Sequence, residues 1–356
     1  MRYLGLDVHS KATVAELVDG TGAVLRTRRL PTTAEGFATL VNDLSPVEDL
    51  LAGQEVGGMT YFVHDLLTAL GVKVLSFNAQ HLRMICSSRK KTDRRDAHWI
   101  AKALQSGMTP HPVYVPVAEI RRLRSLLSQR NAVAQERRRW YLRARSYLRG
   151  AGHLVPRGAR GAARLVAVAG SGPDGLDEHL SGSLEMCARQ QLVLLEELRR
   201  VDAAILEITS GVEAIERLKT IPGIGDRVSA AIYAWVGEVS RFPNARSLTA
   251  YAGLVPSVWS SAEVTRLGGI TKQGSPELRR LLVQAAHVLL TRARSEAAVP
   301  LQALSARMRS SGSRYKVAVV ATARHLLRVA YYVLRDGTTY DPTRLLPPAT
   351  DEPAVA

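Results

Sequence analysis

Tyr3-Leu4-Gly5-Leu6-Asp7-Val8, His9-Ser10-Lys11, Ala12-Thr13-Val14-Ala15-Glu16-Leu17-Val18 and Asp19-Gly20-Thr21-Gly22 decide how the N-terminal half is read. Two β-prone runs set apart by short polar turns, with a third from Ala23 to Leu30, predict a three-strand meander. Thr33 is placed to cap a helix over Ala34 to Leu44, whose Phe37, Leu40, Val41 and Leu44 share one apolar face. Asp49 to Val56 reads as a fourth strand, Thr60 to Leu70 as a second helix stopped by Gly71, and Val72 to Phe77 as a buried fifth strand. Thr92 is placed to cap a further helix over Asp93 to Gln105, with Gly107 ending it.

Strand, strand, strand, helix, strand, helix, strand is the order of an RNase H-like α/β domain, and four carboxylates fall where such a sheet would gather them. Asp7 stands on the first strand and Glu55 near the end of the fourth, which lies beside the first in this fold. Asp93 and Asp96, three residues apart at a helix start, leave the same helix face. Taken singly, each is an ordinary turn or cap residue. Packed together they would repel, and divalent cations would neutralise them. Two Mg2+ ions about 3.5–4 Å apart, with Mn2+ able to substitute, would activate the attacking oxygen and stabilise the leaving oxygen of a phosphodiester.

Composition agrees with a phosphate-bearing partner. The 356 residues are enough for two domains and a connector, and the formal net charge of +16 favours a polyanion. Cys86 and Cys187 lack the paired spacing of a zinc site or disulfide framework, which fits a reducing cytosol. The start, Met1 to Asp7, reaches a charge before any signal-peptide core, and Lys316 to Leu334 is interrupted by Arg324, His325 and Arg328, so it reads as a buried helix and not a membrane span. The expectation is a soluble protein of the bacterial cytoplasm or nucleoid, with no membrane partner.

Glu119 to Gly150 reads as one long helix carrying a run of arginines, Arg137-Arg138-Arg139 among them, opposed only by Glu119 and Glu136. Solvated faces usually alternate sign, so this one, like the run Arg89-Lys90-Lys91, suits phosphates. Trp140, Tyr141 and Tyr147 suit either base stacking or apolar packing. Pro156 to Gly175 reads as a connector, after which a second long helix from Leu184 to Gly211 completes a coiled-coil hairpin or a dimer seam. The expected domains are an α/β domain over 1–115, a helical coiled-coil connector over 116–213, a mostly α C-terminal domain over 214–341 and a disordered tail over 342–356.

In the third region Lys219-Thr220-Ile221-Pro222-Gly223-Ile224-Gly225 has the form of a helix-hairpin-helix turn, in which Gly223 and Gly225 would let backbone amides approach a phosphate. Beyond it come Leu248 to Pro256, Trp259-Ser260-Ser261-Ala262 and Gly269-Ile270-Thr271-Lys272-Gln273-Gly274-Ser275. Ser275 and Pro276 are then the N-cap and first residue of a helix over Glu277 to Thr291. Pattern alone makes Ser260 and Ser261 ordinary loop residues.

Gly5-Leu6-Asp7-Val8-His9, Gln54-Glu55-Val56-Gly57-Gly58 and Lys91-Thr92-Asp93-Arg94-Arg95-Asp96-Ala97, with the C-terminal segments in order, resemble the DEDD transposases of the insertion-sequence-110 family, whose first domain is RuvC-like. The resemblance runs to about Arg335. It implies a transposase domain with Ser261 as nucleophile, Ser260 being the alternative, and an active site assembled from both domains. It implies double-stranded DNA as substrate (element ends and target), an element-encoded guide, or bridge, RNA, a homodimer or homotetramer, and Lys272 among the nucleic-acid contacts. Ala262 stands where the family generally has Gly. A RuvC-like junction-resolving nuclease and a non-catalytic nucleic-acid-binding protein are the competing readings.

Overall fold

In the computed structural model, which describes residues 1–85, 93–153, 178–261 and 264–343, β1 (Arg2–Val8) is the middle strand of a five-stranded sheet. β2 (Ala12–Val18) and β3 (Val24–Pro31) follow antiparallel on one side; β4 (Leu50–Glu55) and β5 (Lys73–Phe77) are added parallel on the other, giving the order β3-β2-β1-β4-β5. The parallel pairings need crossovers, and α1 (Ala34–Asp43) and α2 (Thr60–Ala69) supply them. Thr33 caps α1, its hydroxyl accepting from the Gly36 amide. Asp19 closes the β2–β3 turn by accepting from the Thr21 and Ala23 amides, both at 2.9 Å.

The two faces of the sheet are covered differently. Leu4 and Leu6 of β1, Ala15 and Leu17 of β2 and Ala52 of β4 pack with Phe37, Leu40, Val63 and Leu67 of α1 and α2. The opposite parity, Tyr3, Leu51, Leu75 and Phe77, packs with Leu82 of α3 (Ala79–Ile85) and with Ile100 and Leu104 of α4 (Asp93–Ser106). Helix α3 has no counterpart in the sequence reading. Its seven residues are too few to show a period, and Asn78 starts it by accepting from the Gln80 amide. This unit spans Met1–Pro116.

The second unit, Val117–Ala356, is mostly helical. The long helices α5 (Ala118–Gly150) and α6 (Glu178–Thr209) run antiparallel. Leu148 is clustered with Leu184 and Cys187 at one end, the Gln191 side chain donates to the Arg137 carbonyl, Arg130 donates to Asp202 at 3.0 Å, and Leu123 shares a core with Ile205 at the other end. Helix α6 starts before Leu184, through Ser181-Gly182-Ser183: burial of Leu184, Cys187 and Ala188 outweighs a glycine penalty of about 1 kcal/mol. Pro156 to Gly175 lies outside the described residues, as do Cys86 and the tail beyond 343.

Then come α7 (Glu213–Lys219), α8 (Asp226–Val236), α9 (Ala245–Tyr251), the antiparallel pair β6 (Pro256–Ser261) and β7 (Val264–Ile270), α10 (Pro276–Arg292), α11 (Val299–Ser310) and α12 (Tyr315–Asp336). The β6–β7 pair interrupts what reads as a helical region punctuated by Gly and Pro. Ser260 and Ser261 lie on a strand, not in a loop. Ser275 caps α10 with Pro276 at its first turn, its hydroxyl accepting from the Leu278 amide at 3.2 Å. Helix α12 is long and apolar enough to cross a membrane by composition, and its Ala323, Leu326, Leu327 and Ala330 are buried in the unit's core.

Candidate active site

Strand register places Asp7 and Glu55. Leu6 of β1 pairs with Gln54 of β4, so Asp7 and Glu55, each the next residue, stand at the same end of adjacent parallel strands. Helix α4 lies over both. A Cβ at Gly5 would fall on the Ala97 carbonyl oxygen and 2.6 Å from the Ala101 nitrogen, and one at Gly53 would sit 2.9 Å from Ile100 Cγ2. Side chains alternate along a strand, so Asp7 and Glu55, two residues beyond these glycines, share the face that α4 covers. Ala97 and Ala101 lie over Gly5 while Ile100 and Leu104 pack with Tyr3 and Leu51, so α4 runs opposite to β1 and its N-terminal turn is at the Asp7 end. Asp93 and Asp96 belong to that turn.

Fold and register thus bring the four backbone positions to one end of the sheet. Asp7 is mostly shielded, with its side chain 15% exposed, and its carboxylate accepts from His9 Nε2 at 3.1 Å. Among the described residues no three His, Cys, Asp or Glu side chains form a cation-sized group; the Asp93 side chain lies outside them. An all-oxygen donor set is what a hard divalent cation takes, so the residue types fit Mg2+.

The strand ends are held locally. The Gln54 side-chain amide donates to the Thr60 carbonyl and to Ser76 Oγ, both at 3.1 Å, and Thr60 Oγ1 accepts from the Gly57 amide at 2.7 Å, closing the loop that follows Glu55. Glu16 is a further acidic residue that the sequence reading passed over. It pairs across from Gly5, faces α4, and its side chain is only 2% exposed. His98 Nδ1 donates to one carboxylate oxygen and Thr27 Oγ1 to the other, at 3.0 Å. A buried carboxylate requires such partners, and this one ties β2 to α4 two residues past Asp96. Its signal was a single acid in an otherwise apolar run.

In the second unit, Ser261 pairs with Val264 and Ser260 with Thr265, so both serines lie next to the β6–β7 turn; Ala262 is outside the described residues. Val258 and Trp259 on the same strand are exposed, Trp259 at 72%. The base of this pair is locked to the end of α9. The Thr271 amide donates to the Val255 carbonyl at 2.9 Å and the Lys272 amide to Gly253 at 3.2 Å. A Cβ at Gly253 would sit 2.5 Å from the Gln273 nitrogen and one at Gly274 would overlap the Tyr251 carbonyl. Arg279 donates to the Ala252 and Gln273 carbonyls at 3.0 and 2.9 Å. Lys272 is exposed and holds a left-handed φ of 56°.

The remaining sequence-predicted residues are scattered. In the α7–α8 turn, a Cβ at Gly223 would sit 3.1 Å from the Ala285 carbonyl oxygen and from Leu289 Cβ of α10, and Gly223 holds a left-handed φ of 88°, so close helix packing and the turn account for it; Gly225 is the open N-cap residue of α8. Arg137 is partly buried, Arg138 is exposed, and Arg139 pairs with Glu136 at 3.0 Å. Trp140, Tyr141 and Tyr147 pack against Ala144, Leu148, Leu184 and Cys187. Arg89, Lys90 and Lys91 lie outside the described residues.

Comparison with known proteins gives these features a family. Residues 4–152 match the DEDD-type family model of IS110, described as Transposase, and residues 215–302 match the model described as Transposase IS116/IS110/IS902 family. The chain is 27% identical to the transposase for insertion sequence element IS1111A of Coxiella burnetii over 82% of this chain and 78% of that one. It is 27% identical to the transposase for insertion sequence element IS1328 of Yersinia enterocolitica over 79% and 82%. It is 33% identical to the pilin gene-inverting protein of Moraxella lacunata over 35% and 38%. Two models of one family span the carboxylate-bearing unit and the serine-bearing region alike, and the chain belongs to the IS110/IS116 transposases, enzymes of DNA recombination.

Proposed function

We propose that this transposase excises and inserts its mobile element with Asp7, Glu55, Asp93 and Asp96 as ligands of two Mg2+ ions and Ser261 as the nucleophile that links to DNA. The observation that carries the reading is the register that sets Asp7 beside Glu55, with the first turn of α4 at the same strand end. The ions, when bound, supply charge neutralisation at the attacking and leaving oxygens. The chain's part is to hold the donors: β1 and β4 fix two carboxylates on one face, the Gln54 and Thr60 hydrogen bonds hold the loop beyond Glu55, and His9 Nε2 hydrogen-bonds to Asp7 and orients it. The serine hydroxyl attacks phosphorus, forming an Oγ–P bond as the P–O bond to the leaving strand breaks; the hydroxyl proton leaves and the departing oxygen is protonated.

Double-stranded DNA at the element ends and the target is the substrate, an element-encoded bridge RNA selects the target, and the enzyme acts as a homodimer or homotetramer. Arg89, Lys90, Lys91, Arg137, Arg138, Arg139, Gly225 and Lys272 contact phosphates, which position the nucleic acid without reading its sequence; Gly223, packed against α10, shapes the turn that holds Gly225. The relatedness to a pilin gene-inverting protein supports strand exchange over simple cutting. Incubation with element-end DNA and Mg2+ should give a protein–DNA adduct. Asp7→Asn and Ser261→Ala abolish it and Ser260→Ala spares it. An adduct that survives Ser261→Ala moves the nucleophile to Ser260, and cleavage with no adduct in any variant makes the protein a RuvC-like nuclease. Processing indifferent to Asp7→Asn refutes the carboxylate site and leaves a non-catalytic binding protein.

A further inference from the structure

Between Glu296 and Asp336 the sequence contains no Asp or Glu, yet Arg307, Arg309, Arg314, Lys316, Arg324 and Arg328 all fall there. The stretch forms α11, a short turn and α12, which pack on each other as a helical hairpin. The apolar side of α12 is spent on the core, and Arg307, Arg309, Arg314 and Lys316 are exposed. Elsewhere in this unit long basic side chains sit against carboxylates: Arg130 with Asp202, Arg200 with Glu197, Lys219 with Glu216.

From Val299 to Arg335 the hairpin has no acidic residue of its own, and Asp336 at its far end pairs with Arg335. The charged groups around His325, which lies on the α11-facing part of α12, are Arg307, Arg324 and Arg328, positive from both helices. At the turn, Tyr315 is 37% exposed, hydrogen-bonded to His287 Nδ1 at 2.8 Å, with Arg309 5.6 Å from its ring. A surface of one sign repels itself and is stabilised when a polyanion covers it.

We propose that the α11–α12 hairpin is a binding site for the backbone of duplex DNA, with Arg307, Arg309, Arg314 and Lys316 contacting phosphates. Duplex DNA is the polyanion on which the family acts, and phosphate contacts need no sequence match. Each phosphate contact contributes about 0.9 to the slope of log affinity against log salt. The full chain is titrated with a random-sequence duplex at several salt concentrations. The combined variant Arg307→Gln, Arg314→Gln, Lys316→Gln lowers the slope by about 2 to 3.

Arg199→Gln with Arg200→Gln, whose charges Glu196 and Glu197 already match, changes the slope by less than about 1. An unchanged slope in the hairpin variant, or an equal loss per charge in the control, overturns the site. A loss confined to an RNA duplex of the same sequence overturns the DNA assignment. Should the combined variant melt early, Arg314→Gln alone, at the exposed turn, carries the test with an expected change of about 1. Binding needs no strand cutting, so failure here is separable from failure of the carboxylate reading.

Discussion

Gly5 and Gly53 lie under α4 for the same reason and differ in what a methyl group would strike. At Gly5 it meets backbone, the Ala97 carbonyl and the Ala101 nitrogen, which can yield only by moving the helix. At Gly53 it meets side-chain atoms, Ile100 Cγ2, Leu104 Cδ1 and Phe77 Cε2, which can shift without moving the helix backbone. Overpacking a tight site costs about 1–3 kcal/mol and more where backbone must shift. Gly5→Ala should therefore lower stability by about 3 kcal/mol or more and Gly53→Ala by about 1–2 kcal/mol, read from denaturant midpoints at constant m.

His325 gives a second residue-scale expectation. Burial, with Arg328, Arg307 and Arg324 adding to it, lowers its pKa from 6.5 to about 4. The unfolded chain thus takes the proton more readily than the folded one. The stability tied to neutral His325 is full above pH 6.5 and lost as pH falls through about 4, a span of roughly 3 kcal/mol at 1.36 kcal/mol per pH unit. His325→Gln should flatten the melting temperature against pH in that window; an unchanged profile would show that the imidazole is hydrated in the folded protein.

Among elements, α4 matters most because it carries two of the four carboxylates and is fastened by Glu16. Removing His98 takes a hydrogen-bond partner from the buried Glu16 carboxylate, at about 2–3 kcal/mol, while an amide in place of the carboxylate keeps hydrogen bonds. His98→Ala should destabilise the first unit by about 2–3 kcal/mol and speed amide exchange at the start of α4, with Glu16→Gln less than half as damaging. This pair was not legible in the sequence, since its members are 82 residues apart and neither belongs to a local pattern. The strands were, because alternation and turn residues are local; β4 lies beside β1 as the element order predicted. The β6–β7 pair escaped for the opposite reason. Pro256, Ser257 and the serines interrupt its apolar alternation, and it is held by contacts with α9 that no window of residues displays.

For the whole molecule, the net charge of +16 was readable at once, but not its distribution. The arginine-rich α5 is partly spent on internal pairs and stacking, Arg130 on Asp202, Arg124 on the Ala234 carbonyl and Arg143 on Trp140. The run of basic residues with no acid between them, Arg307 to Lys316, falls on α11 and the start of α12, a stretch where apolar composition drew attention to burial instead. Membership in the transposase family was legible through resemblance, because the motifs that carry it lie on short segments read one at a time. What each segment rests on required the folded chain.

The interlock of Gly253 with Gln273 and of Gly274 with Tyr251 has a consequence for protein engineering. Tyr251 through Arg279 behaves as a cassette whose two rims are cut to fit each other, so a recombinase chimera should exchange the serine strand together with both rims. A graft of Pro256 to Ile270 alone would arrive without its hinge plate.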